Sequence, residues 1–195
     1  SSSSAASDVY KRQVLNKIHF SPALSSEKQT AMNGGFRYAP ATRIYIQFNN
    51  RFWENESLNG WGNTDLPEEI WQPSWDMTGN TGVLMSYLRW SAAEDMDTLN
   101  EDERNNAVLN RWENIFEGSI NNFDKGVSKS WVLDEWSKGA WASPTTSQNE
   151  TLNESIAQIE GRIHFAGEHA SNDRGWMQGA LFSGLRAATE IKNSN

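Results

Sequence analysis

The sequence contains no cysteine. That excludes disulfides, thiolate metal ligands and cysteine nucleophiles, and it leaves the compartment open. Basic residues are in the minority: 17 Lys and Arg stand against 25 Asp and Glu, for a net charge of −8 and no basic stripe. Such a surface does not attract nucleic acid or anionic lipid, and neither is expected as a partner. No apolar run reaches the ~18 residues from which a membrane-spanning helix is read. His19, His164 and His169 lie in no HExxH pair and at no carboxylate spacing that would suggest a metal site. A G-x-S-x-G elbow is missing, and so is the dinucleotide fingerprint G-x-G-x-x-G.

What is present in excess is tryptophan, ten in 195 residues. The composition, 37% hydrophobic and 11% aromatic, is that of a globular chain long enough to bury a core. Tryptophan can fill such a core or wall a ligand, and composition alone does not separate the two. The first thirteen residues, "SSSSAASDVYKRQ", have neither helical nor strand periodicity and read as a tail outside the fold. "DVYKRQ" also reads as the in-frame translation of a transposon-end sequencing adapter. Native sequence is therefore expected from about Val14, with an N-terminal half lying upstream of it.

"TRIYIQFNNRFW" alternates, Ile44, Ile46 and Phe48 against Arg43, Tyr45 and Gln47, which predicts a half-buried strand closed at Asn49-Asn50. The stretch from Asn59 to Gly82 is punctuated by Gly60, Gly62, Pro67, Pro73 and Gly79 and reads as loop-rich. Val83 to Trp90 is a second strand candidate. Thr98 and Glu101 have the spacing of a capping box, followed by Val108, Trp112, Ile115 and Phe116 at helical spacing and a stop at Gly118. "SKSWVLDEWSKGAW" reads as a strand and a turn, and residues 144–155 as a polar linker. The last unit is predicted as a strand over 162–166, a loop over 167–175 and a helix over 176–192.

That helix has an apolar row, Met177, Leu181, Leu185, Ala188 and Ile191, beside small residues at Gly179, Ala180, Ser183, Gly184 and Ala187. Small residues admit another backbone or a flat ligand, and a helix N-terminus presents unpaired N–H groups with partial positive charge. Tight helix packing without any ligand is an equally good account of the same pattern.

"HFAGEHASNDRGWMQGALFSGLRAA" closely resembles the C-terminal signature of the flavin-dependent amine oxidases, in particular the L-amino-acid oxidase branch. "FRYAPATRIYIQFNNRFWE", "TDLPEEIWQPS", "GVLMSYLRW" and "SWVLDEWSKGAWASPTT" resemble successive blocks of that family, in order, so the resemblance runs from about residue 14 to 192. It implies an α/β (mixed α+β) fold: a mixed-sheet substrate domain over 37–156, with 14–36 and 157–195 belonging to a Rossmann-like FAD domain. It implies FAD as cofactor and an amino acid or amine, with molecular oxygen, as substrates. It also implies a missing N-terminal half of the same polypeptide, carrying the pyrophosphate cradle. The 195 residues alone are expected to bind FAD poorly and to be inactive. A homodimer is an open option.

By the same resemblance Gly167 and Glu168 lie beside the ribityl and phosphate portion of FAD. Gly175, Trp176 and Met177 meet the flavin ring with their backbone, Ala180 supplies a small position one turn on, and Trp131 adds an aromatic contact. Trp176 and Trp71 form opposing aromatic walls around the substrate, and the Tyr87 hydroxyl meets its carboxylate. Trp53, Trp75, Trp90 and Trp112 are left to core or surface. Arg43 stands where the family commonly has a lysine that holds a water; arginine can hold the water but stays charged and cannot be a neutral base. The implied reaction is oxidative deamination to an oxo acid, ammonia and hydrogen peroxide. An amine or polyamine oxidase of the same fold, or a non-catalytic tryptophan-rich module binding carbohydrate, are the alternatives. Asn55, Asn149 and Asn153 head Asn-x-Ser/Thr triplets, which bear on function only in a secretory setting.

Overall fold

A computed structural model describes residues 12–66 and 68–194, with only the backbone at 12–14. The tail expected over 1–13 thus lies outside the described residues except for the backbone of its last two, and Pro67 lies outside them as well. In chain order the regular elements are α1 (Ser26–Thr30), β1 (Tyr38–Ala39), β2 (Ala41–Phe48), β3 (Gly62–Asn63), β4 (Glu68–Trp71) and β5 (Gly82–Arg89). They continue with α2 (Ser91–Asp97), α3 (Glu101–Trp112), β6 (Phe123–Ser130), β7 (Trp141–Ala142), α4 (Thr146–Ala157) and α5 (Met177–Asn193). The chain forms two compact units: Pro40–Asp134, and the residues up to Ala39 together with Glu135–Asn195. The chain passes from one unit to the other at Ala39/Pro40 and at Asp134/Glu135.

The unit Pro40–Asp134 is built on a five-stranded sheet of order β3-β4-β5-β2-β6. A mixed sheet was expected; among the described residues every pairing is antiparallel, and no long crossover helix of the kind a parallel pair requires joins neighbouring strands. The period-two pattern of β2 decides its two faces, as predicted. Ile44, Ile46 and Phe48 point inward with Leu84, Leu88 and Ile70 of the neighbouring strands, and Ala93, Met96, Val108, Leu109 and Trp112 of α2 and α3 cover them. Of the four tryptophans left to core or surface, Trp53 and Trp112 are 1% and 0% exposed, while Trp75 and Trp90 lie at the surface. Each fully buried aromatic removes enough apolar area to contribute a few kcal/mol. The predicted loop between Asn59 and Gly82 holds two short strands, β3 and β4, because Glu68 and Ile70 face the core in strict alternation.

The predicted cap is displaced by one turn boundary. Asn100, not Thr98, caps α3: its Oδ1 accepts the Glu103 N–H at 3.0 Å, and Glu103 Oε2 accepts the Asn100 N–H at 2.9 Å. Thr98 closes α2 instead, donating its hydroxyl to Asp95 O at 2.7 Å. Both Thr98-x-x-Glu101 and Asn100-x-x-Glu103 satisfy the motif, and Leu99, packed against the core, selects the later start.

The unit containing both ends has a smaller core of Ala31, Phe36, Ala142, Leu152, Ile156 and Ala170. The expected polar linker over 144–155 is largely helix α4, started by a Thr145/Gln148 capping box and fixed by the buried pair Leu152 and Ile156. The strand expected over 162–166 does not form: only Glu160 and Ile163 make an isolated bridge, with no partner strand alongside among the described residues. Beneath it lies Lys28, 2% exposed, which donates to Gln158 O at 2.5 Å, pairs with Glu160 at 3.2 Å and stands 4.2 Å from the Phe165 ring centroid.

Two outcomes follow. Asn100→Ala should cost about 1 kcal/mol in urea unfolding, and Thr98→Ala clearly less. For Glu160, partial burial by itself raises the carboxyl pKa. The Ser25 hydroxyl and N–H, at 2.5 and 2.8 Å, and the Lys28 ammonium outweigh it and hold Glu160 below its ordinary 4.5. The stabilisation is therefore present above that value and is lost as pH falls through the lowered one. The difference in unfolding midpoint between wild type and Glu160→Gln should be full above pH 4.5 and shrink in acid.

Candidate functional site

The outer face of the five-stranded sheet collects the odd-numbered residues. Arg43 is in register with Tyr87 on one side and Lys129 on the other, and Tyr87 is in register with Glu69. Trp71 lies in the next rung, opposite Met85, with Tyr45 beyond it. The Tyr87 ring is bracketed by two guanidiniums, Arg43 Cζ at 4.7 Å and Arg89 Cζ at 5.3 Å from its centroid. Trp71 meets Tyr87 edge-on at 6.1 Å and is stacked on Trp61 at 5.7 Å and 26°. Its indole N–H donates to Glu69 Oε2 at 3.1 Å, while Glu69 Oε1 is paired with Arg89 at 2.7 Å. Trp71 is thus fixed by stacking, by an edge contact and by a charge-assisted hydrogen bond.

On the core side of the same strands Glu68 is almost fully buried. It accepts from Ser86 Oγ, from Thr64 Oγ1 at 3.0 Å and from Arg111 at 3.2 Å. With its oxygens occupied, that carboxylate holds β4 onto β5 and α3 and has no share in the outer face.

In the other unit, Gly167, Glu168, Gly175, Trp176, Met177 and Ala180 gather around the start of α5. Glu168 uses both oxygens on backbone: Oε1 accepts the Ala142 N–H at 2.9 Å and Oε2 the Gly175 N–H at 2.8 Å. Arg174 holds the same loop from behind, donating to Asn149 Oδ1 at 2.7 Å, to Asn153 Oδ1 and to His169 O at 3.3 Å. Burial lowers the pKa of this guanidinium, opposed by the charges of Glu168 and Tyr38, and it stays cationic. Gly175 has φ +76°, a conformation that favours glycine, and delivers the chain to Trp176, the residue before α5, which has no side-chain cap.

The helix buries its small row. Gly179, Ser183 and Ala187 pack inward, and a Cβ on Gly179 would meet Asp173 O at 2.1 Å. Ser183 Oγ donates to Gly167 O at 2.8 Å and accepts from Gly167 N–H at 2.9 Å. Met177, Leu181 and Leu185 of the apolar row are open, 86, 67 and 67% exposed, as is Trp176 before them at 73%. Close approach of the 167–173 loop demands small side chains, and that decides which face turns in.

Arg43, Tyr87 and Trp71 are therefore brought together on one sheet face, and the residues around α5 on one helix start. Trp71 and Trp131 belong to the unit Pro40–Asp134 and Trp176 to the other. Trp131 follows β6 and has Lys129 Nζ 5.5 Å from its ring centroid. Sequence reasoning missed Trp61, Glu69, Arg89, Arg174 and the Asn149/Asn153 pair. The signal for Glu69 and Trp71 was the alternation in "EEIW"; nothing local marked the others. Glu168→Ala removes a charged acceptor from two amides, a loss of about 1.5–3 kcal/mol per bond. Amide exchange at Gly175 should accelerate roughly tenfold or more, with β2 amides unchanged.

Residues 5–192 match the family described as flavin containing amine oxidoreductase. The L-amino-acid oxidase of Siganus canaliculatus is 34% identical over 182 residues, covering 89% of this chain and 34% of that protein. The L-amino-acid oxidase of Naja atra is 30% identical over 188 residues, covering 94% and 37%. The chain thus spans about a third of the length of these relatives. Among solved structures, cyclohexylamine oxidase from Brevibacterium oxydans IH-35A superposes with a TM-score of 0.79 at 20% identity, over 95% of this chain and 42% of that one. Wild-type putrescine oxidase bound to putrescine gives 0.80 at 18%, over 94% and 41%, which fixes the fold. With a family match over nearly its whole length, this chain belongs to the flavin-containing amine oxidoreductases.

Proposed function

We propose that the chain is part of a flavin-dependent oxidase that deaminates an L-amino acid to an oxo acid, ammonia and hydrogen peroxide, with molecular oxygen as oxidant. The observation that carries this reading is the sheet face: a tyrosine between two guanidiniums, beside an indole held rigid by Trp61 and Glu69. A rigid aromatic surface next to a hydroxyl and fixed positive charge suits a molecule with a side chain, an amine and a carboxylate.

The residues at the start of α5 fit FAD. Its first N–H groups have no side-chain cap, Gly175 leaves the approach open, and Glu168 fixes the loop geometry. Gly167, Glu168, Gly175, Trp176, Met177 and Ala180 would hold the cofactor. Bound there, the flavin supplies the two-electron acceptor that no side chain of this sequence provides. The chain's own residues bind and orient. The uncapped helix start favours negative charge near it. Trp71 walls the substrate on the sheet face, the Tyr87 hydroxyl hydrogen-bonds the carboxylate, and Arg43, charged at any ordinary pH, binds rather than acting as a base.

The open row Met177, Leu181 and Leu185 is, in this reading, covered by the remainder of a longer polypeptide, in keeping with the third of the relatives' length that the chain spans. The 195 residues by themselves should take up no stoichiometric flavin when FAD is added and the visible spectrum recorded; tight uptake contradicts the proposal. In the longer protein, L-amino acids should generate peroxide. There, Tyr87→Phe should raise KM for the amino acid about tenfold, the worth of a charged hydrogen bond, and leave KM for the corresponding amine unchanged. Equal effects on acid and amine would point to an oxidase of simple amines.

A further inference from the structure

The geometry points to Arg43 as the group that takes the substrate's carboxylate on the sheet face, with Tyr87 as the platform that holds the guanidinium for it. This assignment rests on the amino-acid reading for the identity of the ligand, and on the chain's own electrostatics for the site.

The cations of the outer face are not equivalent. Arg89 is paired with Glu69 at 2.7 Å, Lys129 is paired with Asp134, and Lys125 is exposed. Arg43 is only partly exposed and has no hydrogen bond or ion pair among the described residues, and its Nε is buried without an acceptor. Its guanidinium lies 4.7 Å from the Tyr87 ring centroid. Stacking on a ring partly offsets the lost hydration of a guanidinium but neutralises none of its charge. A covered donor without an acceptor costs free energy, and a charged one more. Glu69, the carboxylate in register with Tyr87, is already committed to Arg89 and to the Trp71 indole. Among the described residues, Arg43 is therefore the partly buried cation of this face without a counter-ion, beside the Tyr87 ring.

Arginine recognises a carboxylate through its planar fork of N–H donors. The ligand this arrangement selects is a carboxylate attached to an apolar group that can lie along the Trp61–Trp71 stack. A neutral amide of the same shape presents no charge for Arg43 to neutralise. A lysine in the same place would offer a point charge without the fork, so the arginine departs from the family's usual residue in a way that favours an anion.

The test uses the 195-residue chain, without flavin. Phenylacetate and phenylacetamide, equal in shape and different in charge, are titrated at constant ionic strength while tryptophan fluorescence and thermal midpoint are followed. Phenylacetate should give a saturable change and raise the midpoint, and phenylacetamide neither. Arg43→Gln should weaken phenylacetate binding at least tenfold, and Arg43→Lys should weaken it less. Far-UV circular dichroism identifies variants that remain folded, and Arg43→Lys keeps the comparison usable if Arg43→Gln does not. Equal binding of acid and amide, or unchanged phenylacetate binding in folded Arg43→Gln and Arg43→Lys, overturns the assignment. Because no turnover is involved, failure here leaves peroxide production by the longer protein as a separate result. Conversely, Arg43-dependent acid binding without amino-acid oxidation would sink the oxidase reading and leave the anion site standing.

Discussion

The antiparallel register of β2 against β5, Arg43 opposite Tyr87 and Ile44 opposite Ser86, divides the unit Pro40–Asp134 into a core side and a chemical side. Side chains alternate with period two, so a slip of one residue would send Ile44, Ile46 and Phe48 into water and Arg43 and Tyr45 into the core. That penalty ties the polar face to the hydrophobic one. The core of Phe48, Trp53 and Trp112 pins the sheet, and the pinned sheet places two guanidiniums against one tyrosine ring. Trp71 inherits the same precision through β4, whose Glu68 is locked beneath the sheet by Ser86 and Arg111 while Glu69 hooks the indole above it.

The other unit solves a different problem with fewer apolar contacts. Its core is small, and polar groups do much of the positioning: Glu168 ties Ala142 to Gly175, Arg174 ties the loop to α4, and Ser183 ties α5 to Gly167. Each of these bonds converges on the stretch that leads into α5. His164 and Arg186 hold Glu190 from two sides further along the helix, and burial of that carboxyl is outweighed by these partners, so its pKa is lowered. The result is a rigid helix start with an open apolar row beside it. An exposed row of this size on a helix that is otherwise well anchored is the kind of surface that another segment covers.

Much of this was legible in the sequence where one period or one motif had a single solution. β2 and β5 follow from the alternation of Ile44, Ile46 and Phe48 and from the run Val83 to Trp90. Trp53 and Trp112 were separable from Trp71 because the motif resemblance claimed Trp71, but only the packing divides them, in the core, from Trp75 and Trp90 at the surface. Failure came where two solutions fitted equally. Thr98 and Asn100 both head a capping box, and only the packing of Leu99 chooses between them. Residues 144–155 read as polar because a surface helix needs only Leu152 and Ile156 to hold it down. The sequence showed an apolar row and a small row on α5 without saying which turns in, because the close approach of Asp173 to Gly179 is a tertiary fact with no local signature. Glu69, Arg89 and Arg174 matter through partners far along the chain, which a linear pattern does not display.

Anaerobic mixing of the longer flavoprotein with an L-amino acid tests most directly the proposal that the Arg43–Tyr87–Trp71 face receives an amino acid for oxidation. The visible flavin absorption should bleach with the L-enantiomer, fail to bleach with the D-enantiomer, and bleach far more slowly with the amine that lacks the carboxylate. Bleaching by the amine as fast as by the amino acid, or no bleaching by any amino acid, would contradict it.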